Sequence, residues 1–162
     1  MEKIFEKISE ALFANLNKDE NLILSFSGER SQFVRFNNAL VRQTGLVDDA
    51  DLGLKFISNG RTCSAGYTVS GNFDLDLKRG LDEINRMRQE SSEIPEDPFL
   101  VMPSTSDSSR KVIQANGLSF EDSVDAILPA VSGIDFVGIL IFRVLNHKQL
   151  IIIIESKRLN VA

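Results

Sequence analysis

One histidine and one cysteine, His147 and Cys63, are the whole stock of imidazole and thiol in this 162-residue chain. A catalytic zinc takes three protein ligands and keeps a fourth position open, and His147 has no partner at His-x-x-x-His spacing. A Ser–His–Asp triad would have to recruit that same histidine. Cys63 lies in a run that alternates like a β-strand, where a thiol is a small buried hydrophobe unless a base or a cation activates it. Carboxylate pairs such as Asp48-Asp49 and Glu121-Asp122 have the setting of solvated turns and helix caps. Gly66-Tyr67-Thr68-Val69-Ser70-Gly71 lacks the further glycine, or the Gly-Lys pair, of a phosphate loop. The residues therefore assign no catalytic, cofactor-binding or metal site, and no stoichiometric zinc is expected in this chain.

What remains is one suggestive patch. Arg35 precedes, and Arg42 and Gln43 follow, the stretch Asn37-Asn38-Ala39, whose two asparagines, Asn37 and Asn38, complete the patch. Asparagine tolerates positive φ, so this stretch predicts a tight hairpin that carries Arg35 and Arg42 on neighbouring strands. Two arginines on the solvent face of an antiparallel sheet are ordinary and lie along the surface. The other reading is a cationic, amide-rich edge that contacts an extended peptide or a protein partner.

The elements that must position this patch follow from hydrophobic period. Ile4, Ile8, Leu12 and Leu16 recur every four residues, predicting a helix over 2–17. From Leu22 to Val69 the period falls to 2: Leu22/Leu24/Phe26, Phe33–Phe36, Leu40–Gln43, Leu52/Leu54/Phe56 and Arg61–Val69 read as strands, with Asn59-Gly60 the strongest hairpin signal. Short connections imply antiparallel neighbours. A second helix is expected over 74–89 with Asn72 as its N-cap, and a short one from Ser119 until Pro129 disturbs it. Three of the four prolines and six serines make residues 91–110 an extended linker or surface loop. The fold class is thus α+β: an antiparallel β-meander of about five strands, with helices packed on one face.

Composition sets the outer bounds. A 43% apolar and 25% charged chain of this length is a globular domain with a real core. A net charge of −5 gives no basic field, so no nucleic-acid partner is expected. The charged start, Met1 to Lys7, is unlike an export signal, and a cytoplasmic setting is the default. Residues 139–162 stand apart, with six isoleucines, four leucines and a net charge of +3, which leaves −8 on residues 1–138. Arg143, His147 and Lys148 interrupt that apolar run short of a membrane span, so no membrane partner is expected.

The stretch from Ser31 to Gly45, with its Arg35-Phe36-Asn37-Asn38…Arg42-Gln43 core, resembles the start of the TldD/PmbA family. The Asn59-Gly60-Arg61 turn, the helix over 74–89, Pro95-Glu96-Asp97-Pro98 and Asp135-Phe136-Val137-Gly138-Ile139 agree with it in order and spacing. The resemblance covers roughly residues 1–139 and matches the N-terminal domain only. It implies kinship with putative modulators of DNA gyrase and with metallopeptidases that cut unstructured peptides and work as homo- or heterodimers. It also implies an α+β domain that forms the dimer and encloses the substrate chamber. Zinc in catalytic members sits on a His-Glu-x-x-x-His helix of a further domain. No His-Glu pair occurs here, so those ligands transfer to no position and no activity is expected of this chain alone. The alternative is a non-catalytic binding partner of a full-length member. Residues 1–138 read as the family-like domain. Residues 139–162 read as a divergent tail, either translated out of frame in a truncated gene or the closing strand of a stand-alone domain.

Overall fold

The computed structural model describes residues 2–102, 109–113 and 119–152. In chain order these form α1 (Glu2–Ala14), β1 (Glu20–Asn37), β2 (Leu40–Ser58), β3 (Arg61–Thr68), α2 (Phe73–Ser91), α3 (Phe120–Ala130) and β4 (Gly138–Ile152). The strands make one antiparallel sheet in the order β3-β2-β1-β4. The α+β class and the helices on one face are as expected from the sequence, but the strand count is four, not about five. Four of the expected strands merge into two, because β1 runs unbroken through Ser27–Gln32 and β2 through Thr44–Asp51. Asp48-Asp49, expected in a turn, thus lies within β2. Polar residues there occupy exposed strand positions, which a period-2 reading mistakes for a loop. Pro103, and the tail beyond Ile152, lie outside the described residues.

The chain divides into two compact units: residues up to Gly28 with Asp49–Thr105 and those from Asn146, and Glu29–Asp48 with Ser106–Leu145. In the first unit the alternating sets predicted from sequence do face a common core. Leu22, Leu24 and Phe26 from β1, and Leu52, Leu54 and Phe56 from β2, are buried against Phe5, Ile8 and Leu12 of α1 and Ile84 and Met87 of α2. The Phe5 and Phe26 rings stack with centroids 5.1 Å apart. Cys63 and Val69 close the same core, with Ala65 and Tyr67 half-buried beside it. β2 and β3 pair from Ser58↔Arg61 to Asp51↔Thr68 around Asn59-Gly60, both at positive φ (49° and 69°), as a primed two-residue turn requires.

Two polar devices hold α2 in place. Asn72 caps α2, accepting from the Leu75 N–H at 3.2 Å. Asp76 is fully buried yet satisfied: its carboxylate accepts from the Ser70 N–H (2.9 Å), the Ser70 hydroxyl (2.8 Å) and the Gly71 N–H (3.0 Å). Tyr67 donates to the Asp76 carbonyl at 2.7 Å. α1 and α2 approach closely at Gly80, where a Cβ would meet Leu12 at 2.9 Å and the Tyr67 hydroxyl at 3.0 Å. Glycine there gives up about 1 kcal/mol of helix propensity relative to alanine, and the contact it permits is the reason it fits.

The second unit contains the β1–β2 hairpin, α3 and the first part of β4. Its turn residues Asn38 and Ala39 both have positive φ (50° and 55°), so the expected tight hairpin is a primed turn. Val34 and Phe36 are buried on one side of the sheet. There the Phe136 ring lies 5.7 Å from Phe36, and the Phe136 carbonyl accepts from the Ala39 N–H at 3.1 Å. Ser119 caps α3 as expected, accepting from the Asp122 N–H at 3.0 Å, and Pro129 falls in the last turn.

Candidate functional site

The five residues singled out in the sequence all lie at the turn end of the β1–β2 hairpin, and all are exposed. Arg35 is held by two neighbours. Its Nη1 donates to Gln43 Oε1 at 3.2 Å, and its guanidinium carbon lies 5.5 Å from the centre of the Phe33 ring. A cation over an aromatic face gains about 0.5–1 kcal/mol at an exposed site, enough to bias the rotamer of a long side chain. The Phe33 ring in turn lies over Gly45, where a Cβ would stand 2.4 Å from it. Asn37 ends β1 and Asn38 enters the turn, which its left-handed backbone explains without any ligand. Arg42 occupies an exposed position on β2. The hairpin therefore joins Arg35 to Gln43 and Phe33.

Sequence reasoning missed the residues on which this cluster rests. A shallow groove of about 120 Å³ opens on the same unit, lined by Glu29, Ser31, Phe33 and Arg35 of β1, Val47 of β2, and Ile139, Ile141 and Arg143 of β4. Arg143 Nε is 2.9 Å from Glu29 Oε1. The alternation Glu29/Ser31/Phe33/Arg35 was the available signal for one face of a strand. No local signal tells that β4 lies beside β1.

A larger hollow of about 470 Å³ in the first unit is polar, and its arginines are committed to structure. Arg88 donates through Nε and Nη2 to the two oxygens of Glu20 at 2.7 and 2.8 Å, and through Nη2 to the Asn15 carbonyl at 2.7 Å. Arg61 donates to the Ile94 carbonyl and pairs with Glu96. Burial alone would raise the Glu20 carboxyl pKa. Hydrogen bonds from Arg88 and Asn17, with the Arg88 charge, outweigh that and leave it lowered. These contacts fasten the end of α2 to the start of β1.

Chemistry of other kinds finds little purchase. Burial, with Glu90 nearby, pushes the Cys63 thiol up, away from the reactive thiolate. Among the described residues no three His, Cys, Asp or Glu side chains gather in a way that could hold a metal ion. These described residues do not build the donor set for zinc. No helix among them is long and apolar enough to cross a membrane.

No family model matches the sequence, and no curated protein matches it. Solved structures do. TldE from Thermococcus kodakarensis superposes with a TM-score of 0.59 at 12% identity, over 90% of this chain and 34% of that one. A candidate modulator of a DNA gyrase from Thermotoga maritima gives a TM-score of 0.57 at 17% identity, over 91% of this chain and 35% of that one. The chain spans about a third of the length of each. The resemblance read from Arg35-Phe36-Asn37-Asn38 and the elements that follow is thus met at the level of the fold: this chain has the fold shared by TldE and the candidate gyrase modulator, that of the TldD/PmbA family.

Proposed function

We propose that this chain is a domain of the N-terminal, TldD/PmbA type that acts by association, pairing with a family-type partner whose further domain handles unstructured peptides. The observation that supports this reading is the extent of the match: nine-tenths of the chain superposes on about a third of TldE. A piece of that size is within the range of a domain, and its described residues offer binding surface rather than a set of catalytic donors. In this reading the second unit's sheet supplies the contact surface and the first unit's sealed core supplies rigidity. Proteolysis belongs to an assembly and not to this chain alone, in a cytoplasmic setting.

The test is to mix the purified chain with a full-length, zinc-bearing family member, and to follow complex formation by light scattering and cleavage of an unstructured peptide. The expected result is a defined complex, and no cleavage by the chain alone. Chelator-sensitive cleavage by the chain alone would overturn the reading. So would failure to associate with any family member.

A further inference from the structure

The second unit carries an apolar groove edged by arginine, and charge decides what it takes. On the groove face Arg35 and Arg143 stand against Glu29, a local net of +1 in a chain whose total is −5. The groove has a volume of about 120 Å³, space for a single aliphatic side chain, and an apolar lining of Phe33, Val47, Ile139 and Ile141. Ile139 and Ile141 remain 52% and 44% exposed, so the lining is open to solvent. Water on such a surface favours an apolar occupant.

At one end Arg143 is already neutralised by Glu29. At the other, Arg35 is held over Phe33 while, among the described residues, one of its five N–H donors is committed, to Gln43. A guanidinium already fixed in this way loses less conformational freedom on meeting a carboxylate. Phe33 and Arg35 are two residues apart on one face of a strand, and an extended ligand has the same period of 2. An aliphatic side chain over the groove therefore places the side chain two residues along near Arg35.

We propose that this face binds an extended acidic polypeptide segment, seating one aliphatic side chain in the groove and pairing a carboxylate two residues along with Arg35. The inference rests on the associative reading above and names the chemistry of what the second unit meets.

The probe is a labelled peptide, acetyl-Thr-Glu-Thr-Leu-Thr-Glu-Thr-amide, titrated into the full chain by fluorescence anisotropy. Companion peptides replace Glu by Gln, Glu by Lys, or Leu by Ser. The acidic peptide is expected to saturate, more weakly as salt rises. The Leu-to-Ser and Glu-to-Lys peptides are expected not to saturate. Arg35→Gln should weaken the acidic peptide by about twofold to fivefold, the range for an exposed ion pair, while leaving binding of the Gln peptide unchanged. Val47→Asp, at a position already partly exposed, should abolish binding, with thermal melting confirming that both variants fold. Equal binding of the Lys peptide, no effect of Arg35→Gln, or absence of saturable binding would each overturn the proposal. A dimer in light scattering that Val47→Asp converts to monomer would also overturn it, because a second copy would then occupy the face. Loss of peptide binding with the family complex intact would leave the associative reading standing.

Discussion

Phe26 and Phe56 of the first unit lie in a core sealed by two helices, whereas Phe33, Ile139 and Ile141 of the second line a sheet face open to solvent. Both arrangements draw on the same strand, since β1 contributes Leu22, Leu24 and Phe26 to one unit and Phe33 to Phe36 to the other. Alternation alone does not decide whether an apolar strand residue is buried. The layer laid against it does. In the first unit α1 and α2 supply that layer. In the second, Phe136 covers the Phe36 side, and the Phe33 side keeps its apolar residues accessible. Apolar area that contributes stability in one unit is thus left in the other as surface for recognition.

Substitution tests this contrast most sharply at Phe56 and Ile139. Phe56→Ala should cost about 3–5 kcal/mol, the range for a fully buried aromatic residue, while Ile139→Ala should stay within about 0.5 kcal/mol. Urea denaturation of both variants checks the pair, and comparable losses would erase the distinction. Asp76→Ala comes next. Removing the acceptor of three hydrogen bonds beneath the α2 cap should cost about 2–3 kcal/mol, read in the same titration.

A pH titration of stability probes Glu20. Its carboxyl is held below its ordinary value of 4.5, so its contribution is fully present above that pH and is lost as pH falls through the folded-state value. Arg88→Gln should flatten that acid limb and cost about 1–3 kcal/mol at pH 7, because Glu20 would stay buried without its partner. The smallest effect belongs to the second unit. Ala39 sits at φ 55°, where a Cβ is strained, so Ala39→Gly should stabilise by about 0.5 kcal/mol after the added freedom of the unfolded chain is subtracted. A rise in thermal midpoint is the expected reading.

Much of the first unit was legible in the sequence because its pattern is complete. The four-residue stripe of α1, the caps Asn72 and Ser119 and the Asn59-Gly60 turn are local signals with local causes. The continuity of β1 and β2 was hidden, because residues such as Glu29, Arg30, Asp48 and Asp49 tolerate both strand and loop when solvent is near. Of the site, Arg35 and Gln43 were both singled out, but the partner expected for Arg35 across the turn was Arg42, whereas the contact observed is with Gln43. Phe33 lay in view but read as strand filler. Ile139, Ile141 and Arg143 could not be placed, since a strand from a distant part of the chain leaves no local mark of its neighbour.

The eight-pair register of β2 and β3 also bears on time. Its contacts close around a two-residue turn, so little chain must be immobilised before they form, and such hairpins assemble in about 1–10 μs. β4 reaches β1 only across more than a hundred residues, as the Arg143–Glu29 pair shows. Contacts that distant are slow to find. The expected order of events is that the β2–β3 hairpin forms early and β4 joins later. In a chevron experiment, Phe56→Leu should slow refolding, and Arg143→Gln should alter only the unfolding limb. Until β4 arrives, the outer edge of β1 stays briefly available to whatever extended chain meets it first.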